Sequence, residues 1–204
     1  MIDEAAPGAL FARAQRLLGL LGTQGMRAGY WTTFWLPAGH APSQALEELA
    51  LALAPHAAAG PRCAGVEWWL GRAHTTRIPV GFHFDLDVKG TGAVRCPLVS
   101  SVFFFNRVRG GQLAVTDQRP DPRGRPQPAQ ATALETVAPA PNRYAVFDGS
   151  LFHGVLDAGG HVPGRPLPGP PGRLRRTLVV NYWAARPSGV PAWAESRAYR
   201  ALRG

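Results

Sequence analysis

Short apolar segments separated by turn residues run through the sequence from residue 65 to residue 183. They are rich in aromatic and β-branched residues, which favour β-strands. The segments span residues 66–70, 78–85, 96–105, 112–115, 143–147, 151–156 and 174–183. Many short strands with turns between them are typical of a sandwich or jelly roll and not of alternating strands and helices. The sequence therefore predicts a mostly β fold, a sandwich or jelly roll, with flanking helices.

The flanking segments carry helical patterns. Residues 9–21 have apolar side chains at helical spacing, and glycines beginning with Gly22 end the pattern. Residues 30–36 are rich in aromatic and β-branched residues and form a further predicted strand. Ser43 is then expected to cap a second helix, with Glu47 close to the position that completes a capping box.

The chain is expected to form one domain over residues 1–204. A chain of 204 residues can bury well over half of the surface that it exposes when unfolded. The expected parts are a helical and strand flank over residues 1–64, a jelly-roll core over residues 65–184 and a closing helix over residues 191–203. No part of the sequence repeats another.

Two segments interrupt the strand pattern. Residues 117–130 and 158–172 are dense in proline, glycine and arginine and have no apolar period, which predicts loops. They are not domain linkers, because strands of the same domain flank them. The second segment lies between His153 and Arg175, where it can form either a lid over a site or a disordered surface insertion.

Simple sequence features limit the cellular setting. No apolar run reaches the ~18 residues that a membrane span needs. The first residues lack the basic region of a signal peptide, so a cytoplasmic location is expected. Cys63 and Cys96 lie in dissimilar contexts without metal-ligand spacing, which favours free thiols over a disulfide.

The formal net charge of +9 raises the possibility of a nucleic-acid partner. Lys89 is the only lysine, and the arginines are scattered along the chain instead of being concentrated among stacking aromatic residues. This distribution favours solvated surface charge over a nucleic-acid footprint. The sequence gives no indication of the oligomeric state.

One histidine and one carboxylate stand two residues apart in a predicted strand. His83 and Asp85 follow this spacing, and alternate strand residues share a face. A third ligand must come from elsewhere in the chain, and His153, after a tight turn, is the candidate. Two histidines and a carboxylate on one side of an ion are typical of non-haem Fe(II) oxygenases.

A basic stretch opens the last predicted strand. Arg175 and Thr177 share a face there, and a buried arginine is costly unless it binds an anion. A guanidinium beside a hydroxyl suits a carboxylate. Arg175 is preferred to Arg173 and Arg176 because of its spacing from Thr177.

Together these motifs resemble the iron(II)- and 2-oxoglutarate-dependent dioxygenases of the prolyl-hydroxylase type. The family pattern is His-x-Asp/Glu, a distal His, and Arg-x-Ser/Thr. His83-Phe84-Asp85, His153 and Arg175-Arg176-Thr177 match this pattern in order and spacing. The resemblance extends over about residues 66–183.

The resemblance implies a double-stranded β-helix (a cupin-like jelly roll) that binds Fe(II) through His83, Asp85 and His153. It implies that Arg175 and Thr177 hold the far carboxylate of 2-oxoglutarate, and that O2 is the oxidant. The implied activity is hydroxylation of a small molecule, amino acid or peptide, with desaturation or cyclisation as variants. One departure from the family is Phe104, at the position where related proteins often have a tyrosine that contacts 2-oxoglutarate.

Other residues of the same segments have two possible roles. Asn181 and Trp69 are candidates for substrate binding, and core packing is the alternative for both. Asp87 either orients a ligand histidine or belongs to a turn. Two other functions remain open: a cupin-like metal protein or isomerase that does not use 2-oxoglutarate, and a basic β module that binds nucleic acid.

Overall fold

A computed structural model describes residues 1–28, 32–71, 81–87, 94–163 and 175–199. It contains two α-helices and ten strands. The helices are α1 (Gly8–Ala28) and α2 (Ala45–Ala57), and the strands are β1 (Phe34–Pro37), β2 (Gly65–Leu70), β3 (Val99–Phe104), β4 (Gln112–Thr116), β5 (Arg119–Pro120), β6 (Pro126–Gln127), β7 (Leu134–Val137), β8 (Arg143–Asp148), β9 (His153–Leu156) and β10 (Thr177–Trp183).

The strands form two main antiparallel sheets. The major sheet has the order β1-β2-β10-β3-β8 and the minor sheet the order β7-β4-β9. A single bridge between His83 and His153 adds the His-x-Asp stretch beside β9. From β2 onward the chain moves between the two sheets in the order of a double-stranded β-helix, which confirms the predicted mostly β jelly roll with flanking helices.

The major sheet buries both of its faces. On one face Phe103, Leu178 and Val180 pack against the two helices. On the other face Phe104 and Val179 pack toward the minor sheet. Because strand residues alternate between faces, β10 contributes to the helix-covered core and to the space between the sheets. That inner space contains the candidate site.

Both helices differ in detail from the sequence prediction. Gly22 adopts a left-handed conformation (φ 56°) at a kink, and α1 continues beyond it to Ala28. Gln44, and not Ser43, caps α2, since its side chain accepts from the Leu46 amide. Ser43 instead donates from its amide and hydroxyl to Glu47.

Three predicted segments have a different local structure. The described part of the expected strand over residues 78–85 is irregular apart from its single bridge. The expected strand over residues 30–36 begins only at Phe34, and its first two residues lie outside the described part of the chain. The closing helix over residues 191–203 is wrong for the described residues, which form one 3-10 turn at Trp193–Glu195 before the chain extends again at Ser196. Trp193 instead packs edge-on against Phe34.

The first proline-rich loop is an ordered hairpin. β5 and β6 pair across a turn in which the Asp121 carboxylate accepts from the Arg123 and Arg125 amides. Most of the second loop lies outside the described residues. Cys63 and Cys96 are free, as expected. No helix in the described part of the chain is long and apolar enough to cross a membrane.

Candidate metal centre

A cavity of about 400 Å³ lies between the two sheets. Its walls come from β2 and β10 of the major sheet, from β4 and β9 of the minor sheet, and from residues 83–87. Cavities of a few hundred cubic ångströms between packed elements are the usual sites of small-molecule binding. His83, Asp85, His153 and Arg175 all line this cavity.

The structure brings the three predicted ligands together. Nε2 of His83 lies 3.6 Å from Oδ1 of Asp85. Nε2 of His153 lies 3.4 Å from Oδ2 of the same carboxylate. One potential ligand atom from each residue lies within 4.8 Å of the others, and no other such group of three occurs among the described residues.

Both histidines are oriented in the same way. Nδ1 of His83 lies 2.9 Å from the Gly81 carbonyl, and Nδ1 of His153 lies 2.9 Å from the Leu151 carbonyl. A carbonyl only accepts, so each Nδ1 carries a proton, and when the ring is neutral each Nε2 has a lone pair for a metal. A backbone carbonyl on the far ring nitrogen is the usual support of a metal-ligating histidine.

The backbone fixes the distance between the two histidines. The amides and carbonyls of His83 and His153 form a reciprocal pair of hydrogen bonds of 2.8 and 3.0 Å. Next to this bridge, a Cβ atom on Gly154 would lie 2.9 Å from Cδ2 of Phe82. Glycine at residue 154 therefore lets the two segments approach closely enough to pair.

A tight turn positions His153 for its β-bridge with His83. The Asp148 carboxylate accepts from the amide and the hydroxyl of Ser150, at 2.9 and 2.6 Å. The Leu151 amide closes the turn by donating to the Asp148 carbonyl. Such side-chain contacts to a following amide stabilise a turn locally, so this turn sets the start of β9.

Asp85 is held as a carboxylate. Burial alone would raise its pKa, but when the histidines are protonated the positive charge of His153 and the hydrogen bonds with both rings lower the pKa well below its usual range. Asn181 donates from Nδ2 to Oδ2 of Asp85 over 2.9 Å. The predicted role of Asn181 in binding substrate is not tested by this contact, but the contact shows that the side chain is directed at the acidic member of the triad.

Arg175 lines the same cavity but lies beside Gly111 just before β4, whereas His153 pairs with Val115 near the end of that strand. The Arg175 side chain is buried, and burial lowers its pKa to about 10. Nε donates to the Gly111 carbonyl at 2.8 Å, and a terminal nitrogen lies 3.3 Å from the Thr177 hydroxyl. None of the ion pairs among the described residues includes Arg175. A buried cation with free donors and no described carboxylate partner is suited to bind an anion.

Phe104 occupies the space where the resemblance suggests a tyrosine. Its ring is fully buried, and the Arg175 guanidinium lies 5.2 Å from its centroid. That distance fits a cation–π contact, so Phe104 supports the arginine through its ring face. Arg176 points away from this cavity wall, and its amide donates to the Asn106 side chain. Arg173 lies outside the described residues.

Trp69 lines the cavity, and its predicted role in substrate binding stays a prediction. The sequence did not indicate the polar contacts of two nearby residues, Trp183 and Asp87. Trp183 donates from its indole nitrogen to Glu67 over 3.0 Å, and both residues line the cavity. Asp87 accepts from the Ser188 amide and hydroxyl and pairs with Arg95. These contacts anchor the loop after β10, and the two predicted roles of Asp87 stay predictions, because the residues that follow it in the chain lie outside the described part.

Comparison with solved structures shows the same fold in two proteins. HygX from Streptomyces hygroscopicus, solved with nickel and 2-oxoglutarate bound, is 15% identical, with a TM-score of 0.51 over 94% of this chain and 83% of HygX. The non-haem α-ketoglutarate-dependent epimerase SnoN of nogalamycin biosynthesis is 14% identical, with a TM-score of 0.50 over 93% and 81%. A Pseudomonas putida prolyl-4-hydroxylase matches less well, with 18% identity and a TM-score of 0.44 over 91% of each chain.

Sequence comparison adds no closer relative. No protein-family model matches the chain, and no curated protein matches it. The similarity to HygX and SnoN spans nearly the whole chain at low identity. It confirms the resemblance at the level of the fold.

Proposed function

We propose that this protein is an Fe(II)- and 2-oxoglutarate-dependent dioxygenase that hydroxylates a small molecule, an amino acid or a peptide. The observation that carries the proposal is one cavity with a His-Asp-His cluster at one end and a buried arginine at the other. The fold shared with HygX, which was solved with iron and, separately, with nickel and 2-oxoglutarate, supports it. The proposal treats residues 1–204 as a single catalytic domain.

The donor set fits a divalent transition metal. Two imidazole nitrogens with available lone pairs and one carboxylate from His83, Asp85 and His153 would hold Fe(II) on one side. When bound with 2-oxoglutarate and O2, the iron supplies the oxidising power for C–H oxidation, with succinate and CO2 as the co-products. The presence of a carboxylate ligand at Asp85 favours hydroxylation, or desaturation or cyclisation, over halogenation.

The chain's own residues would orient the co-substrate. Arg175 and Thr177 offer donors to the far carboxylate of 2-oxoglutarate, while the Gly111 carbonyl and the Phe104 ring keep the guanidinium in place. Apolar side chains between the two ends, including Val179 and Leu113, would exclude water from the middle of the co-substrate. Charge-assisted pairing with a carboxylate is stronger in such a dry setting.

The alternative of a metal protein without 2-oxoglutarate is disfavoured by Arg175. A cupin-like isomerase or binding protein has no need of a buried guanidinium facing its metal centre, and burial of an uncompensated charge is costly. The cavity accounts for this arginine only if an anion binds beside it.

The nucleic-acid alternative is disfavoured by how the described arginines are used. Six of them form ion pairs with acidic side chains. These pairs are Arg13–Glu48, Arg95–Asp87, Arg119–Asp148, Arg125–Asp121, Arg143–Asp3 and Arg186–Glu195. Such pairing lowers the positive potential that phosphate binding requires.

Anaerobic titration tests the proposal directly. Fe(II) and 2-oxoglutarate added together should give the visible metal-to-ligand charge-transfer band of the chelate in wild-type protein. Asp85→Ala should abolish the band, and Asp117→Ala, a surface carboxylate change outside the cavity, should leave it intact. Admission of O2 should convert 2-oxoglutarate into succinate. A wild-type protein that binds neither iron nor 2-oxoglutarate would contradict the proposal.

A further inference from the structure

Asn181 is a buried amide in the middle of the central strand. It belongs to β10, where its pairing partners are Glu67 on β2 and Ser100 on β3. Its side chain is on the inner face of the major sheet and has no exposed surface. Residues at alternate positions of the same strand, Val179 and Trp183, line the cavity. Because buried polar groups normally have hydrogen-bond partners, the Asn181 amide is expected to make a specific contact.

The contact is with the acidic member of the triad. Asn181 donates from Nδ2 to Oδ2 of Asp85 over 2.9 Å. An ionised carboxylate only accepts hydrogen bonds, so the amide nitrogen, and not the amide oxygen, must face Asp85. This contact joins a strand of the major sheet to the His-x-Asp stretch beside the minor sheet, 96 residues away.

The oxygen of the same amide makes no hydrogen bond with the described residues. Oδ1 of Asn181 is buried and has no hydrogen-bond partner among the described residues, and the same is true of the hydroxyl oxygen of Ser100 at the paired position of β3. Leaving an acceptor unsatisfied in the interior reduces stability. An apolar residue of similar size would pack at residue 181 without that cost, so the amide is not there for folding alone.

The two oxygens of Asp85 are therefore unequal. Oδ2 is near His153 and accepts from Asn181, whereas Oδ1 is the oxygen near His83. A hydrogen bond to Oδ2 takes up one of its lone pairs and part of its charge, which makes Oδ1 the better donor to a cation. The amide also prevents the carboxylate from rotating about its Cβ–Cγ bond.

We propose that Asn181 is a positioning residue that makes Asp85 bind the metal through a single oxygen, Oδ1. The inference rests on the proposed metal centre. A carboxylate restricted to one oxygen occupies one coordination position instead of two. The remaining positions stay available to the co-substrate, so Asn181 controls how many ligands the protein itself contributes.

Binding of Co(II) alone tests this role without turnover, because its visible d–d absorption reports the coordination number. Four proteins are compared: wild type, Asn181→Leu, which keeps the volume but removes the donor, Asn181→Ala, which removes both, and Ser100→Ala as a matched control on the neighbouring strand. Circular dichroism and thermal unfolding of the metal-free proteins establish that each variant is folded.

The expected result separates the two variants. Asn181→Leu should weaken Co(II) affinity about 10- to 100-fold, the usual effect of losing a residue that supports a ligand. Its d–d spectrum should change as Oδ2 joins the coordination. Ser100→Ala should bind Co(II) like the wild type with the same spectrum. Asn181→Ala, which also lacks the donor, should behave like Asn181→Leu.

Three outcomes would overturn the inference. The first is wild-type affinity and spectrum in a folded Asn181→Leu or Asn181→Ala variant. The second is weaker affinity with the wild-type spectrum, which would mean that Asn181 does not set the number of bound oxygens. The third is that neither variant folds, which would make Asn181 a core residue. Failure of the wild-type protein to bind Co(II) would instead contradict the proposed metal centre itself.

Discussion

The burial of Arg175 indicates that an anion binds beside it. The guanidinium is buried between the Phe104 ring and the Gly111 carbonyl, and its remaining donors face the cavity. Burying an ion costs several kcal/mol unless partners compensate for it. The described contacts compensate only in part, so the bound state of this protein should contain the missing anion.

Changing Arg175 to lysine should weaken 2-oxoglutarate binding. Lysine keeps the charge but loses the forked geometry, and hydrogen bonds to charged groups are worth about 1.5–3 kcal/mol. The Kd for 2-oxoglutarate should rise about 10- to 100-fold in an anaerobic titration of the iron-loaded protein. Arg176→Lys is the matched control and should leave the Kd unchanged. An effect in Arg176→Lys alone would move the anchor to the neighbouring arginine.

Gly71 is predicted to be intolerant of a side chain. A Cβ atom at this residue would lie 1.8 Å from the Thr177 hydroxyl, and the Gly71 amide already donates to the Thr177 carbonyl. Gly71→Ala should displace that hydroxyl and destabilise the protein by about 1–3 kcal/mol. Chemical denaturation measures this, and Gly19→Ala, with open space around its Cβ, should be neutral or stabilising. Equal stability of the two variants would contradict the packing at Thr177.

The sequence could predict the charged residues of the site but not their partners. His83, Asp85 and Arg175 were recognisable because their chemistry is unusual for strand positions. The contact between Asn181 and Asp85 depends on how two distant segments align, and so does the bond between Trp183 and Glu67, 116 residues apart. No local signal encodes such alignments, because they follow from sheet register.

At the scale of elements, the turn before β9 determines where His153 is placed. Asp148 ends β8, accepts from Ser150 and pairs with Arg119 over 2.9 Å. Burial would raise the pKa of Asp148, but the hydrogen bonds from Arg119 and Ser150 prevail and lower it to about 2. The turn is therefore stabilised by the ionised form.

This pKa gives the turn a defined pH dependence. Because the folded-state pKa is depressed, the stabilisation is complete above the ordinary value of 3.8 and is lost as the pH falls toward about 2. Asp148→Asn keeps an acceptor for Ser150 but loses the ion pair, which at an exposed site contributes under about 1 kcal/mol. Acid titrations followed by circular dichroism should show a smaller stability difference between wild type and variant at pH 2 than at pH 7. A difference that does not shrink would contradict this assignment.

Element types were easier to predict than element boundaries. Gly22 does break the helical geometry, but the predicted helix end there is wrong, because α1 continues past the kink to Ala28. Gln44 replaced Ser43 as the cap since Ser43 is engaged by Glu47. The β5–β6 hairpin escaped prediction because Asp121, and not an apolar pattern, organises it.

At the scale of the molecule, the site joins the two sheets. Asp85 and the histidines belong to the minor-sheet side, while Asn181, Thr177 and Arg175 belong to the strand at the centre of the major sheet or directly precede it. A ligand that bridges these groups should therefore stabilise the whole sandwich and not one loop.

Metal and co-substrate together should raise the melting temperature. A ligand present at 100 times its Kd stabilises the folded state by about 2.7 kcal/mol. For a chain of this size each kcal/mol raises the Tm by roughly 2–4 °C, so a shift of about 5–10 °C is expected. Differential scanning calorimetry with Fe(II) and 2-oxoglutarate under anaerobic conditions measures it. The shift should vanish with a chelator and in Asp85→Ala, and an equal shift in that variant would place binding elsewhere.

Alternate side chains of β10 face the helix-covered core and the space between the sheets, so this strand should not tolerate a change in length. Inserting or deleting one residue within Thr177–Trp183 would reverse the facing of the residues on one side of the change. Thr177 or Asn181 would then turn toward the helices, and Leu178 or Val180 would face the cavity. Length variation should therefore be absent from this strand in any functional library of insertions, and should collect at the tip of the β5–β6 hairpin. A scan of insertions and deletions should therefore show seven consecutive intolerant residues at β10.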